Sequence, residues 1–381
     1  MSTLTDAERD DLRAAVRHLL DRASSSEAVR SLLDDPAGYD EELWRRLVEL
    51  GWTGIHVPEA YGGGGAGYAD VAVVLHELGR HLTAGPFLAS AVLGTTALMA
   101  CDNDELRADL LPSLVAGDRR ATVAIANDRG SVDPRRLGVA WEHAGTGIRL
   151  RGTTAFVPDA AGADTGFVAA RADDGTPALV AVDLTADGVT CEATPTIDPT
   201  RRLSRLTLDS VVDPASLLCA PGPSAVRAIE RLAAVGAIAV ACDAAGAAER
   251  MLELTAGYAK DRVQFGRPIG SFQAVKHHCA DMAVAVEGSR AAVAVAAEAL
   301  DGPEDATLAA AVTTSYAGPA CSDVCAVAIQ VHGGIGFTWE HDAHLYLKRA
   351  KLDEAWFGTP SWHRRRLADA VFPRVLAVVD R

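Results

Sequence analysis

Positive charge is the scarcer sign in this sequence: 36 Lys and Arg stand against 51 Asp and Glu, a formal net charge of -15 over 381 residues. A broad basic surface for nucleic acid is therefore not expected, although a local basic pocket for a phosphorylated small molecule fits an acidic average. Cysteine is sparse as well. The seven residues Cys101, Cys191, Cys219, Cys242, Cys279, Cys321 and Cys325 are scattered and odd in number, unlike a secreted disulfide framework, and read as reduced, buried thiols. The opening MSTLTDAERDDLRAAVRHLL is acidic from the start and lacks a basic stretch leading to a cleavage site, so no export signal is read there. No apolar run looks long enough to span a bilayer. The expectation is a soluble, cytoplasmic protein.

What is present points to a layered α+β chain, mainly helical. The hydrophobic share is 49%, with 34 glycines and 17 prolines, enough for two or three domains with real cores. Residues 1–118 read as a helical domain, with Val71, Val74, Leu75 and Leu78 at helical spacing. Its run Gly62 to Gly65 after His56-Val-Pro-Glu-Ala-Tyr61 must be a loop. No Lys or Ser/Thr follows at P-loop spacing, so a tight structural turn is expected. Residues 119–222 carry short β-branched or alternating runs at Ala121 to Ala126, Gly147 to Phe156, Thr165 to Ala172, Ala178 to Leu184 and Leu203 to Leu208, a β domain. Residues 223–381 return to Ala-rich helical patterns, interrupted near Gly266 to Ser271, Gly302-Pro303, Gly333 to Gly336 and Gly358 to Pro360. Strands and helices are segregated, which disfavours a parallel α/β sheet.

Two segments of the last domain are hard to explain by packing alone. Arg262-Val-Gln-Phe-Gly-Arg-Pro-Ile-Gly-Ser-Phe-Gln273 combines a cationic fork at Arg262, amides at Gln264 and Gln273, and flat rings at Phe265 and Phe272. Gln330-Val-His-Gly-Gly-Ile-Gly-Phe-Thr338 supplies Gly333, Gly334 and Gly336, where backbone can approach phosphate or ribose closely. Thr338 is placed to cap the next helix, with Glu340 and Asp342 in its first turn. With these two segments, and with Leu43-Trp-Arg, Gly51-Trp-Thr-Gly, Val57-Pro-Glu-Ala-Tyr-Gly-Gly, Glu77-Leu-Gly-Arg80 and Ile197-Asp-Pro-Thr-Arg-Arg-Leu203, the chain resembles the acyl-CoA dehydrogenase family over nearly all of its length.

The resemblance implies an N-terminal helical domain, a middle β barrel and a C-terminal four-helix bundle, assembled as a tetramer that binds FAD at subunit contacts. Arg262, Val263, Gln264, Phe265, Phe272 and Gln273 would touch the FAD from one subunit, and Gln330, Val331, His332, Gly333 and Gly334 from a neighbour. Thr359 is implied for the cofactor and Gly358 for the substrate. The substrate would be an acyl-CoA or acyl-carrier thioester. The electron acceptor would be an electron-transfer flavoprotein.

The family pattern fails at the catalytic base, the carboxylate that removes the thioester α-proton as the β-hydride moves to flavin. Where many members hold Glu before a Gly-Thr pair, this chain reads Ala355-Trp-Phe-Gly-Thr359, so Phe357 stands there. The other family position, on the helix before Arg262, falls at about Gly236. Asp243, Asp353 and Glu354 lie near these positions and read as solvated or helix-capping residues. The loop Ile125-Ala-Asn-Asp-Arg-Gly-Ser-Val132 and the strand Ala155-Phe-Val-Pro158 also depart from the family's flavin-facing pattern. The favoured expectation is the base-less subunit of an α2β2 heterotetramer whose homologous partner carries the Glu, beside a plain homotetramer. Two alternatives stay open: other flavin chemistry on this fold, such as monooxygenation, nitroalkane oxidation or carrier-protein acyl dehydrogenation, and an inactive CoA-ester binding scaffold. No metal site is expected: His341 and His344 beside Glu340 and Asp342, and Cys321 with Cys325, lack a defined ligand geometry. Adjacent His277, His278 and Cys279 point too far apart on a helix for a nucleophile dyad.

Overall fold

The computed structural model describes residues 4–302 and 305–379, so Pro303 of the expected Gly302-Pro303 break lies outside the described residues. In chain order the α-helices are α1 (Asp6–Ala23), α2 (Ser26–Ser31), α3 (Glu41–Glu49), α4 (Tyr68–Arg80), α5 (Thr95–Met99), α6 (Asp104–Val115), α7 (Pro223–Asp261), α8 (Gln273–Asp301), α9 (Ala306–His332), α10 (Ala343–Ala355) and α11 (Pro360–Val379). The strands between α6 and α7 are β1 (Ala121–Ala124), β2 (Val139–Ala144), β3 (Gly147–Pro158), β4 (Thr165–Arg171), β5 (Pro177–Asp183), β6 (Val189–Thr194), β7 (Leu203–Val212) and β8 (Leu217–Cys219). The chain packs as two compact units, one of residues 32–71 and 84–236, the other of residues 6–31, 72–83 and 237 onward. Consecutive sequence segments and packed units thus differ, because α1, α2 and the end of α4 pack with the C-terminal helices.

In the first unit, Asp40 starts α3 by accepting the N–H groups of Glu42 and Leu43, which satisfies two of the donors a helix start leaves open. Gly62 to Gly65 form a backbone-paired turn. Gly64 and Gly65 donate to the carbonyls of Gly54 and Val57 at 2.9 and 2.8 Å, and a side chain at Gly63 would collide with the Val57 backbone. Phe87–Gly94 is a fully buried π-helical turn. The eight strands form one sheet in the order β6-β7-β3-β2-β4-β5-β8, with β1 added beside β4. One edge of β4 serves two partners in tandem: β1 runs parallel from Ala121 opposite Thr165 to Ala124 opposite Val168, and β2 takes over with Val139 opposite Ala170. Val139, Ile148, Leu150, Val168, Val180, Leu206 and Leu208 share one buried cluster, each such side chain contributing roughly 1.5–3 kcal/mol. Three strands are additions to the sequence reading. Val139–Ala144 follows the alternation of a half-buried strand, whereas Val189–Thr194 is an edge strand too polar to stand out and Leu217–Cys219 has three residues.

In the second unit, the end of α4 crosses α7 with no room for side chains. A Cβ at Gly79 would overlap the Asp243 carbonyl, and one at Gly246 the His76 carbonyl. Asp243 corrects an expectation at this crossing: it is buried, not solvated, and pairs with the fully buried Arg349 of α10 at 3.0 Å. Its partner lies 106 residues away. Arg349 also donates to the Leu82 carbonyl at 3.3 Å, and the Tyr346 hydroxyl donates to the Arg80 carbonyl at 2.8 Å, so α10 binds the end of α4. Beside them runs a partly buried charge cluster. Glu77 accepts two hydrogen bonds from Arg17, at 2.9 and 2.7 Å; His76 lies 3.2 Å from Glu249; and Arg80 pairs with Glu249 and Glu253. Burial pushes the Glu77 carboxyl up, but His76 and Arg17 outweigh it and hold it at about 2.

The reading of apolar runs also needs correction. The stretch Ala306–Phe337, which contains α9, is long and apolar enough by length and composition to cross a bilayer. Here α9 packs against α8, α10 and α11, which accounts for an apolar composition as bundle core. All seven cysteines are free; Cys191 and Cys279 are half-buried rather than buried.

Candidate functional site

The Arg262 segment is a short hairpin at the end of α7. Val263–Gln264 pairs antiparallel with Arg267–Pro268 around Phe265-Gly266, whose φ values of 53° and 76° define a turn of type I′. Asn-Gly is the usual choice there. Phe at the first position holds a left-handed backbone that costs about 1–3 kcal/mol. Its ring is 90% exposed, so little packing within the chain offsets that strain. Phe272 meets it edge to face at 6.0 Å and carries the Arg267 guanidinium 4.2 Å above its own face. Arg262, Val263, Gln264 and Gln273 are exposed. The backbone of Arg262 is tied at both ends, its N–H to the Tyr258 carbonyl and its carbonyl to the Ile269 N–H, each at 2.8 Å.

The second segment closes α9. Gly333 has φ 67° and ψ -143°, a conformation only glycine takes readily, and Gly333–Phe337 then form a single 3-10 turn. Gly333 and Gly334 are exposed and have no atom near a would-be Cβ. Gln330 is exposed and Val331 half-buried. His332 is buried and stacks on Tyr258 with ring centres 4.6 Å apart and planes 24° apart. Tyr258 lies one helical turn before Arg262, so one protomer presents both segments side by side. The expected cap is corrected too: Thr338 bonds back to the Ile335 carbonyl, and α10 begins only at Ala343, with Asp342 turned to Arg30 at 2.6 Å.

Together these residues offer an exposed guanidinium, amides, an exposed ring and open glycine backbone at adjoining helix ends. That donor set fits a dinucleotide, whose pyrophosphate takes charge and N–H groups and whose rings take flat apolar contact.

Neither base position holds a carboxylate. Phe357 is 4% exposed, stacks on Trp356 at 4.9 Å and has φ 56°, again a left-handed backbone on a bulky residue. Its carbonyl accepts a hydrogen bond from Nε2 of buried His363 at 3.2 Å. Gly358 follows at φ 112°, where a Cβ would lie 2.6 Å from the Trp362 ring. Thr359 is exposed and accepts the Trp362 N–H at 3.3 Å, which starts α11. Gly236 is buried within α7 and brings no side chain. Asp353 is buried, against expectation, while Glu354 accepts from Ser322 and Lys351 at 2.7 and 2.8 Å. Among the described residues, no three His, Cys, Asp or Glu side chains gather as a metal site.

In the first unit, β3 carries a register shift between Thr154 and Val157, and Phe156 stands there at φ 56°. The Asn127 side chain organises the nearby loop by accepting the N–H groups of Arg129 and Ser131. Tyr258 and His363 carry no signal in the sequence, and His341 carries one only as a metal-ligand candidate. Each lies next to a motif without belonging to it.

Comparison with known proteins gives a consistent result. A family model described as "Acyl-CoA dehydrogenase, N-terminal domain" matches residues 6–118, and one described as "Acyl-CoA dehydrogenase, C-terminal domain" matches residues 226–372. The chain is 37% identical to acyl-CoA dehydrogenase IpdE2 of Mycolicibacterium smegmatis, over 96% of this chain and 99% of that one. It is similar to a chain of the ChsE4-ChsE5 complex from Mycobacterium tuberculosis, with a TM-score of 0.87 and 32% identity over 97% of this chain and 99% of that one. A chain of the Tcur3481-Tcur3483 steroid ACAD matches with a TM-score of 0.87 and 34% identity, at the same coverage of each.

Proposed function

The chain belongs to the acyl-CoA dehydrogenase family, and from that premise we propose that it is the flavin-holding, base-less subunit of a heterotetramer whose homologous partner supplies the glutamate. The family makes it an FAD-dependent oxidoreductase of acyl-CoA thioesters. The observation that carries the finer reading is Phe357: the backbone keeps a strained turn at the family's base position, but a buried ring stands where a proton acceptor is needed.

FAD, when bound, supplies the acceptor for the hydride leaving the thioester β-carbon. Arg262, Gln264 and Gln273 would hold its pyrophosphate and polar edges. Phe265 and Phe272 meet flat apolar surface. Gln330, Val331 and His332 lead into Gly333 and Gly334, whose open backbone lets a phosphate or ribose approach closely. Thr359 offers a hydroxyl to the cofactor and Gly358 a backbone contact to the thioester. Trp356 and Phe357 keep water from the place where this chain has no base, and the α-proton goes to the partner's carboxylate. The likeness to the ChsE4-ChsE5 complex supports a two-chain assembly, and the likeness to the steroid ACAD supports a steroid-derived acyl-CoA. We place the reaction in the cytoplasm, with an electron-transfer flavoprotein as acceptor.

The test is to purify the chain alone and with the homologue encoded beside it, then follow ferricenium reduction with steroid-side-chain and straight-chain acyl-CoA esters. Turnover is expected only from the pair. Equal turnover by the isolated chain would remove the need for a partner.

A further inference from the structure

We propose that His332 is a positioning residue that holds the hairpin after Arg262 and the glycine turn after Gln330 in register, so that both face one FAD. The inference rests on reading those segments as the flavin site. His332 itself is buried.

Three contacts converge on this ring, and its Cβ takes part in a fourth close approach. Nδ1 lies 2.7 Å from the Ala328 carbonyl, and since a carbonyl only accepts, Nδ1 carries the proton and the ring orientation is fixed. One face stacks on Tyr258, whose carbonyl holds the Arg262 N–H one turn later. His341, at the entry to α10, tilts against the ring at 4.5 Å. Finally, the glycine turn folds back onto its stem: a Cβ at Gly336 would lie 3.0 Å from the His332 Cβ. One side chain therefore touches the base of the hairpin, the return of the glycine turn and the lead into α10, which ends at Ala355, two residues before Phe357.

The contribution is one of shape rather than charge. Nε2 is buried and meets no hydrogen-bond partner among the described residues. The residues that would face the cofactor, Arg262 to Gln264 and Gly333 to Gly334, are exposed, so their relative placement depends on what lies beneath them. Two ring contacts, each worth a modest amount, are what a flat side chain keeps and an aliphatic one loses.

The experiment titrates the full chain, assembled with its partner, with FAD and reads the quenching of flavin fluorescence. His332→Leu is expected to weaken FAD binding by about tenfold or more, whereas His332→Phe, which keeps a flat ring, stays within about threefold. Tyr258→Leu is expected to match His332→Leu, and the double variant to be no weaker than either single one, because both break the same stack. Tyr258→Leu carries the test alone if His332→Leu does not fold. Unchanged binding in the Leu variants, equal losses in the Leu and Phe variants, or additive losses in the double variant overturn the proposal. Wild-type protein that quenches no flavin fluorescence, or an Arg262→Ala variant that binds FAD as wild type does, sinks the flavin-site reading instead.

Discussion

The turns at Phe265-Gly266 and Phe357-Gly358 use the same backbone device for opposite ends. Each places a phenylalanine at φ near 55° and follows it with a glycine at positive φ, yet one ring is 90% exposed and the other 4%. Strain on a bulky residue persists only where the surroundings hold it. At Phe357 those surroundings are visible: Trp356 stacks on the ring and His363 holds the carbonyl. At Phe265 the ring is exposed, and a bound cofactor and a second subunit are the surroundings the flavin reading supplies. On the proposed reading the exposed turn is a contact for the flavin, while the buried turn holds a ring at the family's base position.

The largest expected difference between the two turns comes from adding one methyl group. Gly358→Ala drives a Cβ into Trp362 and His363 at a φ of 112°, for a loss of about 3–5 kcal/mol in urea unfolding. Gly266→Ala meets no neighbour and should cost only the left-handed backbone, about 1–2 kcal/mol. Equal losses would show that the buried turn is no more tightly held than the exposed one.

Acid should separate the turns next. Burial pushes the His363 imidazole down to about 4 from an ordinary 6.5, despite its bond to the Phe357 carbonyl. The native state therefore binds fewer protons than the unfolded chain between those values. The contribution of neutral His363 is complete above pH 6.5 and is lost as pH falls toward 4, by up to about 3 kcal/mol. Thermal melts across that window should show a steeper fall for wild type than for His363→Gln, and parallel curves would contradict the assignment. The exposed hairpin has no histidine and should add nothing to this window.

A smaller effect is expected at Phe265. Phe265→Asn relieves the left-handed strain and should raise the stability of the FAD-free chain by about 1 kcal/mol. The same change should weaken flavin binding, a split in sign that a purely structural hairpin would not give.

The sequence made the local part of this legible. Alternation marked five of the eight strands of the sheet, and the glycines and aromatics of the two motifs are close enough in sequence to be read together. What escaped it joins distant residues. Asp243 looks like a solvated acid until Arg349, far along the chain, is seen paired with it. Thr338 has the spacing of a helix cap, but α10 starts later and Arg30 takes up Asp342. Nothing in the order of residues shows that Tyr258 and His332 stack, and that contact is what brings the two motifs together on one protomer.

The most direct measurement is ferricenium-linked turnover by purified Phe357→Glu in the absence of any partner, with bound FAD confirmed by its absorbance. Restoring a carboxylate on a turn that already has the base-presenting backbone should give acyl-CoA dehydrogenation where the wild-type chain alone gives none. A flavin-loaded Glu variant that stays inert, or a wild-type chain that turns over unaided, would contradict the claim that this subunit lacks only its base.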